Sequence, residues 1–203
     1  MHISKENLDD ISELVNIGMG KGAAMLNSLL ESHITLNAPV ITLVREADLK
    51  RALNKYLNQE LFAAQMSFYG DFNGDAQLIF SHECAGKLVH ALLGVGVETR
   101  LDDMDSLRAE TLNEVGNIVI NSIIGTISNE LNLSMKFSIP CCMQGNFENI
   151  VGGDIAGTHE GVLHACVHFV VAELKIEGDI IMFLGIDSLR KLVEAIERYR
   201  KNL

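Results

Sequence analysis

Within 203 residues the chain repeats one polar spacing at an interval of 101 positions: Glu13 and Asn16 return as Glu114 and Asn117. Its only prolines, Pro39 and Pro140, each follow the asparagine by twenty-three positions. Such a register restricts the fold to one unit written twice, with the same polar pair at the same place in each copy. Copies of about 100 residues stand near the lower range of independent stability, so the halves are expected to share a core. A single domain over residues 1–203 is expected, made of two repeats at about 4–94 and 105–200. The material for that core is present, since 48% of the residues are hydrophobic, mean hydropathy is +0.20 and polar low-complexity tracts are absent.

The two halves read alike. From Glu6 to about Ser32, the residues Leu8, Ile11, Val15, Gly18, Gly22, Leu26 and Leu29 recur at steps of three and four, the period of one buried helix face. The same offset returns Ala109, Leu112, Gly116, Val119, Ile123 and Ile127, then Glu130 where the stripe breaks, with Asp105 and Ser106 as caps. Each helix leads into a β-rich stretch. The first covers Ile34 to Val44, then Phe62, Ala64, Met66 and Phe68 alternating toward Asn73-Gly74, a hairpin signal, then Ala76 to Phe80. The second predicts strands over Met135–Met143, Val162–Leu174 and Asp179–Leu184, with a turn at Glu177-Gly178. Helices capped by Ser81, and by Asp187 or Ser188, close the halves over Glu83–Leu93 and Leu189–Arg200.

Between first strand and hairpin, Arg45–Tyr56 reads as helical, and Gln144–Glu160, with Gly152, Gly153 and Gly157, as a loop. Val95–Asp102 links the halves. Local hairpins mixed with helices indicate an α+β fold rather than parallel βαβ units. Each proline falls in a predicted strand, in an edge or bulge role.

On a helix, Asp9, Glu13 and Asn16 share one stripe, as do Glu110, Glu114 and Asn117, both lying away from the apolar face. Gly20 and Asn121 follow one turn later, and Gly20 leaves room for a partner to press closely. The pair contains no nucleophile and no group that titrates readily near neutrality, so hydrolysis by the chain's own acid–base machinery is excluded as an expectation. An amide both donates and accepts hydrogen bonds, so it is suited to orienting a water for in-line attack on a phosphoryl group, as a glutamine does in small GTPases. A glutamate beside it is suited to anchoring a lysine of the partner. A partner that already supplies metal and phosphate positioning would gain on the order of 10²-fold from one oriented water.

The remaining features narrow the partners. A net charge of −11 opposes a sequence-independent grip on nucleic acid, which needs Lys and Arg on phosphates. No apolar run approaches a membrane span and the start is not a signal peptide, so a cytoplasmic protein without a membrane or nucleic-acid partner is expected. Cys84, Cys141, Cys142 and Cys166 lack metal-site spacing and read as reduced, mostly buried hydrophobes. His164 and His168 read as ordinary sheet residues, and Met135, Met143 and Met182 as core or near-core filler. The basic final helix, with Arg190, Lys191, Arg198, Arg200 and Lys201, reads as a solvated end. Gly18-Met19-Gly20-Lys21-Gly22 follows helix rather than strand and lacks nucleotide-loop spacing, so it reads as a small-residue helix face for close packing.

At these residues the chain resembles the CheC family of response-regulator phosphatases, whose pattern is Asp or Ser, three residues, Glu, two residues, Asn, about twenty-two residues, Pro. Asp9, Glu13, Asn16 and Pro39 match it, and so do Glu114, Asn117 and Pro140; Glu110 departs from it where the family has Asp or Ser. The resemblance extends over the chain through Asn-Ile-Gly after Glu13, Gly-Asn-Ile after Glu114, and Gly-Asp at 74–75 and 178–179.

It implies two pseudo-symmetric helix, strand, hairpin and helix repeats sharing one antiparallel sheet, with long helices carrying the sites. It also implies phosphorylated CheY as substrate, Mg²⁺ held by that regulator, and no cofactor or metal of the chain's own. Glu13 and Glu114 would contact the regulator's lysine, and Asn16 and Asn117 would orient the attacking water. Asp9, Glu110 and Gly20 would meet the partner, while Pro39 and Pro140 belong to the motif without a chemical role. Members of the family also bind the receptor deamidase CheD. The rival reading is an adaptor that binds CheY, CheD or a flagellar component through the same helices while hydrolysing little.

Overall fold

The computed structural model describes residues 3–30, 33–37, 40–44, 46–93, 101–151, 161–171 and 174–201. Helix α1, Lys5–Leu30, begins where the Asn7 amide donates to the Ser4 hydroxyl at 3.1 Å, filling one of the orphan donors of the first turn. Its stripe is buried at Ile11, Val15, Gly18, Gly22 and Leu26. Helix α4, Leu101–Glu130, buries Leu112, Gly116, Val119, Ile123 and Ile127 in turn. It starts earlier than expected, so Asp105 and Ser106 lie inside it rather than capping it. The aspartate-rich sequence there favours a helix N-terminal turn, which carries the helix back toward the link between the halves. Of that link, residues 95–100 lie outside the described residues, and Leu101 and Asp102 open α4.

All strand pairings are antiparallel and form one sheet, bearing out the α+β class. Two hairpins make its centre: β3, Leu61–Gly70, with β4, Gly74–Ser81, and β7, Gly161–Val171, with β8, Leu174–Leu184. They join through β4 and β8, with Gln77 opposite Ile181. Each outer strand of this centre takes an interrupted edge from the other half of the chain. The strands β1, Ile34–Asn37, and β2, Ile41–Val44, both pair with β7. The strands β5, Met135–Phe137, and β6, Cys141–Gly145, both pair with β3. A continuous strand was expected in each case. Pro140 lies in the second gap, on an edge, where a residue without an N–H breaks a ladder at least cost. Pro39 lies outside the described residues, between the ends of β1 and β2.

The period of two sends alternate strand residues to opposite faces. Phe62, Met66, Phe68, Leu78, Phe80, Ile180 and Met182 join α1 and α4 in the main core. Helix α3, His82–Leu93, and helix α6, Ile186–Lys201, pack into the same cluster. Leu61, Ala63, Ile79, Ile181 and Phe183 form a smaller core on the other face. It is roofed by α2, Glu46–Ala52, a 3-10 turn at Asn54–Tyr56, and α5, Phe147–Ile150. The helical reading of 45–56 thus holds for its described residues. A short helix capped by Asn146 corrects the loop reading of 144–160, of which 152–160 lie outside the described residues.

Other expectations shift in detail. The β3–β4 hairpin exists, but it turns through Asp71, Phe72 and Asn73 rather than through a two-residue Asn73-Gly74 turn. Phe72 is buried, Gly70 has φ +148°, and the Gly70 amide donates to Asn73 Oδ1 at 3.0 Å. Glu177 and Gly178 are not a turn; they pair with His168 and Val167 deep in the β7–β8 ladder, where a Cβ at 178 would sit 2.6 Å from Phe80. Ser81 caps α3 as expected, accepting from the Cys84 amide. Asp187 and Ser188 lie within α6, one paired with Arg190 and the other accepting from the Asn73 amide. Cys141 is exposed because β6 is an edge, and Cys84 and Cys142 are half-buried, which corrects the reading of these three thiols as mostly buried. Burial, with the charge of the neighbouring Cys141, pushes the Cys142 thiol up to about 11.

Two polar clusters fasten the helices and the back face. Arg200 of α6 is not simply solvated: it donates to Glu6, Asn7 and Asp10 in the opening turns of α1. Asp179, buried in β8, accepts from Tyr56 at 2.6 Å and pairs with Lys55 and His164 at 2.7 Å each. Burial opposes its ionisation, yet these donors together hold its carboxyl below the usual range. His168 pairs with Glu177 at 3.9 Å, so both sheet histidines face carboxylates.

Candidate functional site

The site begins with why two helices lie side by side. A Cβ on Gly18 would fall 2.6 Å from the Ile123 Cα, and one on Gly22 would touch Ser122 and Val119, so α1 and α4 run antiparallel in close contact. The Gly18–Gly22 segment therefore does serve packing, except at Gly20, which is exposed with nothing within 4 Å of where its Cβ would be. Antiparallel packing sends the two polar stripes to opposite ends of the helix pair. At 1.5 Å per residue, Asn16 and Asn117 stand roughly 12 Å apart along the axes.

Each stripe sits on the side of its helix away from the buried apolar face. On α1, Asp9, Glu13 and Asn16 are exposed. On α4, Glu110 and Glu114 are exposed, while Asn117 and Asn121 are half-buried. At three-residue spacing the carboxylate and amide of each pair have Cβ atoms about 5–6 Å apart, within reach of a single partner group. The edges β1 and β2 lie against α1, and β5 and β6 against α4. Pro140 lies between β5 and β6 on the strand edge rather than on the exposed stripe of α4.

The surroundings differ. The Asn16 amide donates to the Ser12 carbonyl at 2.9 Å, back along its own helix. On α4, Asn121 Nδ2 donates to Asn117 Oδ1 at 2.6 Å, linking the two amides one turn apart. Glu114, Asn117 and Asn121 line an open trench of about 370 Å³ between the helices, together with Lys21, Met25 and Ser122. Glu110 and Glu114 also rim an apolar cavity of about 290 Å³ formed by Leu26, Leu29, Leu93, Leu107, Val115 and Ile118. Leu29, counted in the buried stripe by its spacing, is 60% exposed on this rim. The break of the stripe at Glu130 in the second half was the signal that this position need not be core.

Neither pair holds a nucleophile, and among the described residues no group of three or more His, Cys, Asp and Glu is placed to hold a metal ion. Among the same residues no helix is long and apolar enough to cross a membrane.

Residues 62–155 match the family model "Chemotaxis phosphatase CheX". The chain is 22% identical to the CheY-P phosphatase CheC of Bacillus subtilis (strain 168), across 96% of this chain and 95% of that one. Its fold is that of the Thermotoga maritima FliY crystal structure, with a TM-score of 0.74 at 19% identity over 98% of this chain and 100% of that chain. The CheX-CheY-BeF3-Mg+2 complex from Borrelia burgdorferi also contains a match, with a TM-score of 0.50 at 17% identity over 88% of this chain and 96% of that one. The chain is thus similar to the chemotaxis phosphatase CheX family over residues 62–155 and to a CheC over nearly its whole length, and it shares the fold of FliY.

Proposed function

We propose that the chain is a cytoplasmic phosphatase that hydrolyses the aspartyl phosphate of a CheY-type response regulator, through two sites borne by one domain of two repeats. The observation that carries this reading is the placement of Glu13 with Asn16, and of Glu114 with Asn117, on the accessible sides of two helices whose other sides are core. The likeness to a chain of the CheX-CheY-BeF3-Mg+2 complex supports the choice of partner.

Attack on phosphorus uses a lone pair of the water, so that water must donate its hydrogens to acceptors. A side-chain amide oxygen is such an acceptor, neutral and fixed on a rigid helix. The water oxygen bonds to phosphorus, and the bond to the regulator's aspartate breaks with its electron pair left on the carboxylate. The proton departs with inorganic phosphate or solvent. Glu13 or Glu114 meets a lysine of the regulator in a charge-assisted contact that sets the docking register. Mg²⁺ would be held by the regulator and would there neutralise charge on the phosphoryl oxygens. Asp9, Glu110 and Gly20 border the contact.

The test is phosphate release from a CheY-type regulator labelled with acetyl phosphate, measured with the wild-type chain, Asn16→Ala, Asn117→Ala and the double variant. Loss of acceleration in the double variant is expected. Equal rates in all four samples would leave an adaptor that binds through the same helices.

A further inference from the structure

We infer that Asn121 is a positioning residue for the α4 site, fixing which atom of the Asn117 amide meets the attacking water; the inference rests on the phosphatase reading above. An asparagine amide has two ends of similar shape and opposite hydrogen-bonding character. Only the oxygen end suits a nucleophilic water, because the NH₂ end would donate into the lone pair needed for attack. A solvated amide rotates between the two presentations. On α4 the rotation is constrained: Asn121 Nδ2 donates to Asn117 Oδ1 at 2.6 Å, one turn along the same exposed stripe. A carbonyl oxygen accepts two hydrogen bonds, so the Asn117 oxygen keeps a second acceptor position for water. Reversing the Asn117 amide alone would set two NH₂ groups against each other, so its orientation follows that of Asn121. Lys21, Met25 and Ser122 wall the same trench and leave both amides half-buried, which limits competition from bulk water. The equivalent position on α1 is Gly20, which has no side chain to donate, so the device belongs to the α4 site.

The α4 site is isolated in an Asn16→Ala background, and the steady-state rate of phosphate release from the labelled regulator is followed over a range of regulator concentrations. Asn121→Ala removes the donor and is expected to lower kcat about fivefold, the scale of one lost hydrogen bond, with KM within twofold. Asn121→Asp presents acceptors instead, favours the reversed amide, and is expected to lower kcat at least tenfold. Asn121→Gln keeps an amide donor and should recover part of the loss. Thermal unfolding of each variant checks that the helix pair is intact; a kcat loss tracking lost folded protein counts against the inference. If Asn121→Ala and Asn121→Asp keep kcat within twofold while Asn117→Ala abolishes release, the positioning role is overturned and the phosphatase reading stands. If Asn117→Ala also releases phosphate at the parent rate, the reading itself falls, and the positioning role with it.

Discussion

The helices α1 and α4 carry the same carboxylate–amide pair, yet they meet the rest of the molecule differently. Behind the α1 pair the buried position is Val15; behind the α4 pair it is Gly116, where a Cβ would lie 2.2 Å from that of Ala64. Helix α4 therefore rides close on β3, and its pair opens on a trench and an apolar cavity. Helix α1 keeps a bulkier residue against the sheet, and its opening turns are pinned by Arg200. The difference teaches that recurrence of a motif conveys its chemistry, while the residues between motif positions decide how firmly that chemistry is held.

Four measurements test how far the two sites diverge. The largest effect is expected from Asn16→Ala combined with Asn117→Ala, which should remove on the order of 10²-fold in phosphate release. The single variants then rank the sites, and a double variant no worse than either single one would break the picture of two working pairs. Next comes Gly116→Ala, whose methyl group collides with Ala64; overpacking should cost about 1–3 kcal/mol in denaturant unfolding. An unchanged midpoint would mean that α4 has room to lift from the sheet. Third, Glu114→Ala and Glu13→Ala should each raise KM at their own site about fivefold with kcat little changed, each measured with the opposite asparagine removed. A fall in kcat alone would give the glutamate a different role. The smallest effect belongs to Gly20→Ala, expected to stabilise the fold by roughly 0.5–1 kcal/mol because that helical position is open. Loss of regulator binding in this variant would support the close approach of a partner at Gly20.

Much of this was legible in the sequence, because the strongest signals were periodic. The buried face of α1, the alternation of Phe62, Met66 and Phe68, and the Ser81 cap follow from local stereochemistry, and the structure places them as read. The polar stripes were legible for the same reason, since helical spacing fixes which residues share a face. Features set by distant partners were not. Glu177-Gly178 has turn composition, but pairing with His168 and Val167 carries the strand through it, with Phe80 filling the space above the glycine. Leu29 has the spacing of a core residue and lies on a rim, because its outcome depends on what faces it across α4. The role of Arg200 required knowing that α6 ends beside the first turn of α1, some 190 positions away in the chain. The link between Asn117 and Asn121 needed atomic positions, although their spacing permitted it.

The exchange of edges described for the sheet has a consequence for how the chain reaches its native state. Because β1 and β2 complete β7, and β5 and β6 complete β3, neither half finishes its sheet until the other has been made. Closing contacts of such long sequence separation is slow, and unfolding should be a single cooperative event in which the halves are lost together. A half produced alone would carry a hairpin bare on both edges, since β4 and β8 also pair with each other across the halves, and a loose interrupted strand of matching pattern. Two such fragments would complete each other, so separately expressed halves should be recovered as a complex or as intertwined pairs rather than as stable monomers.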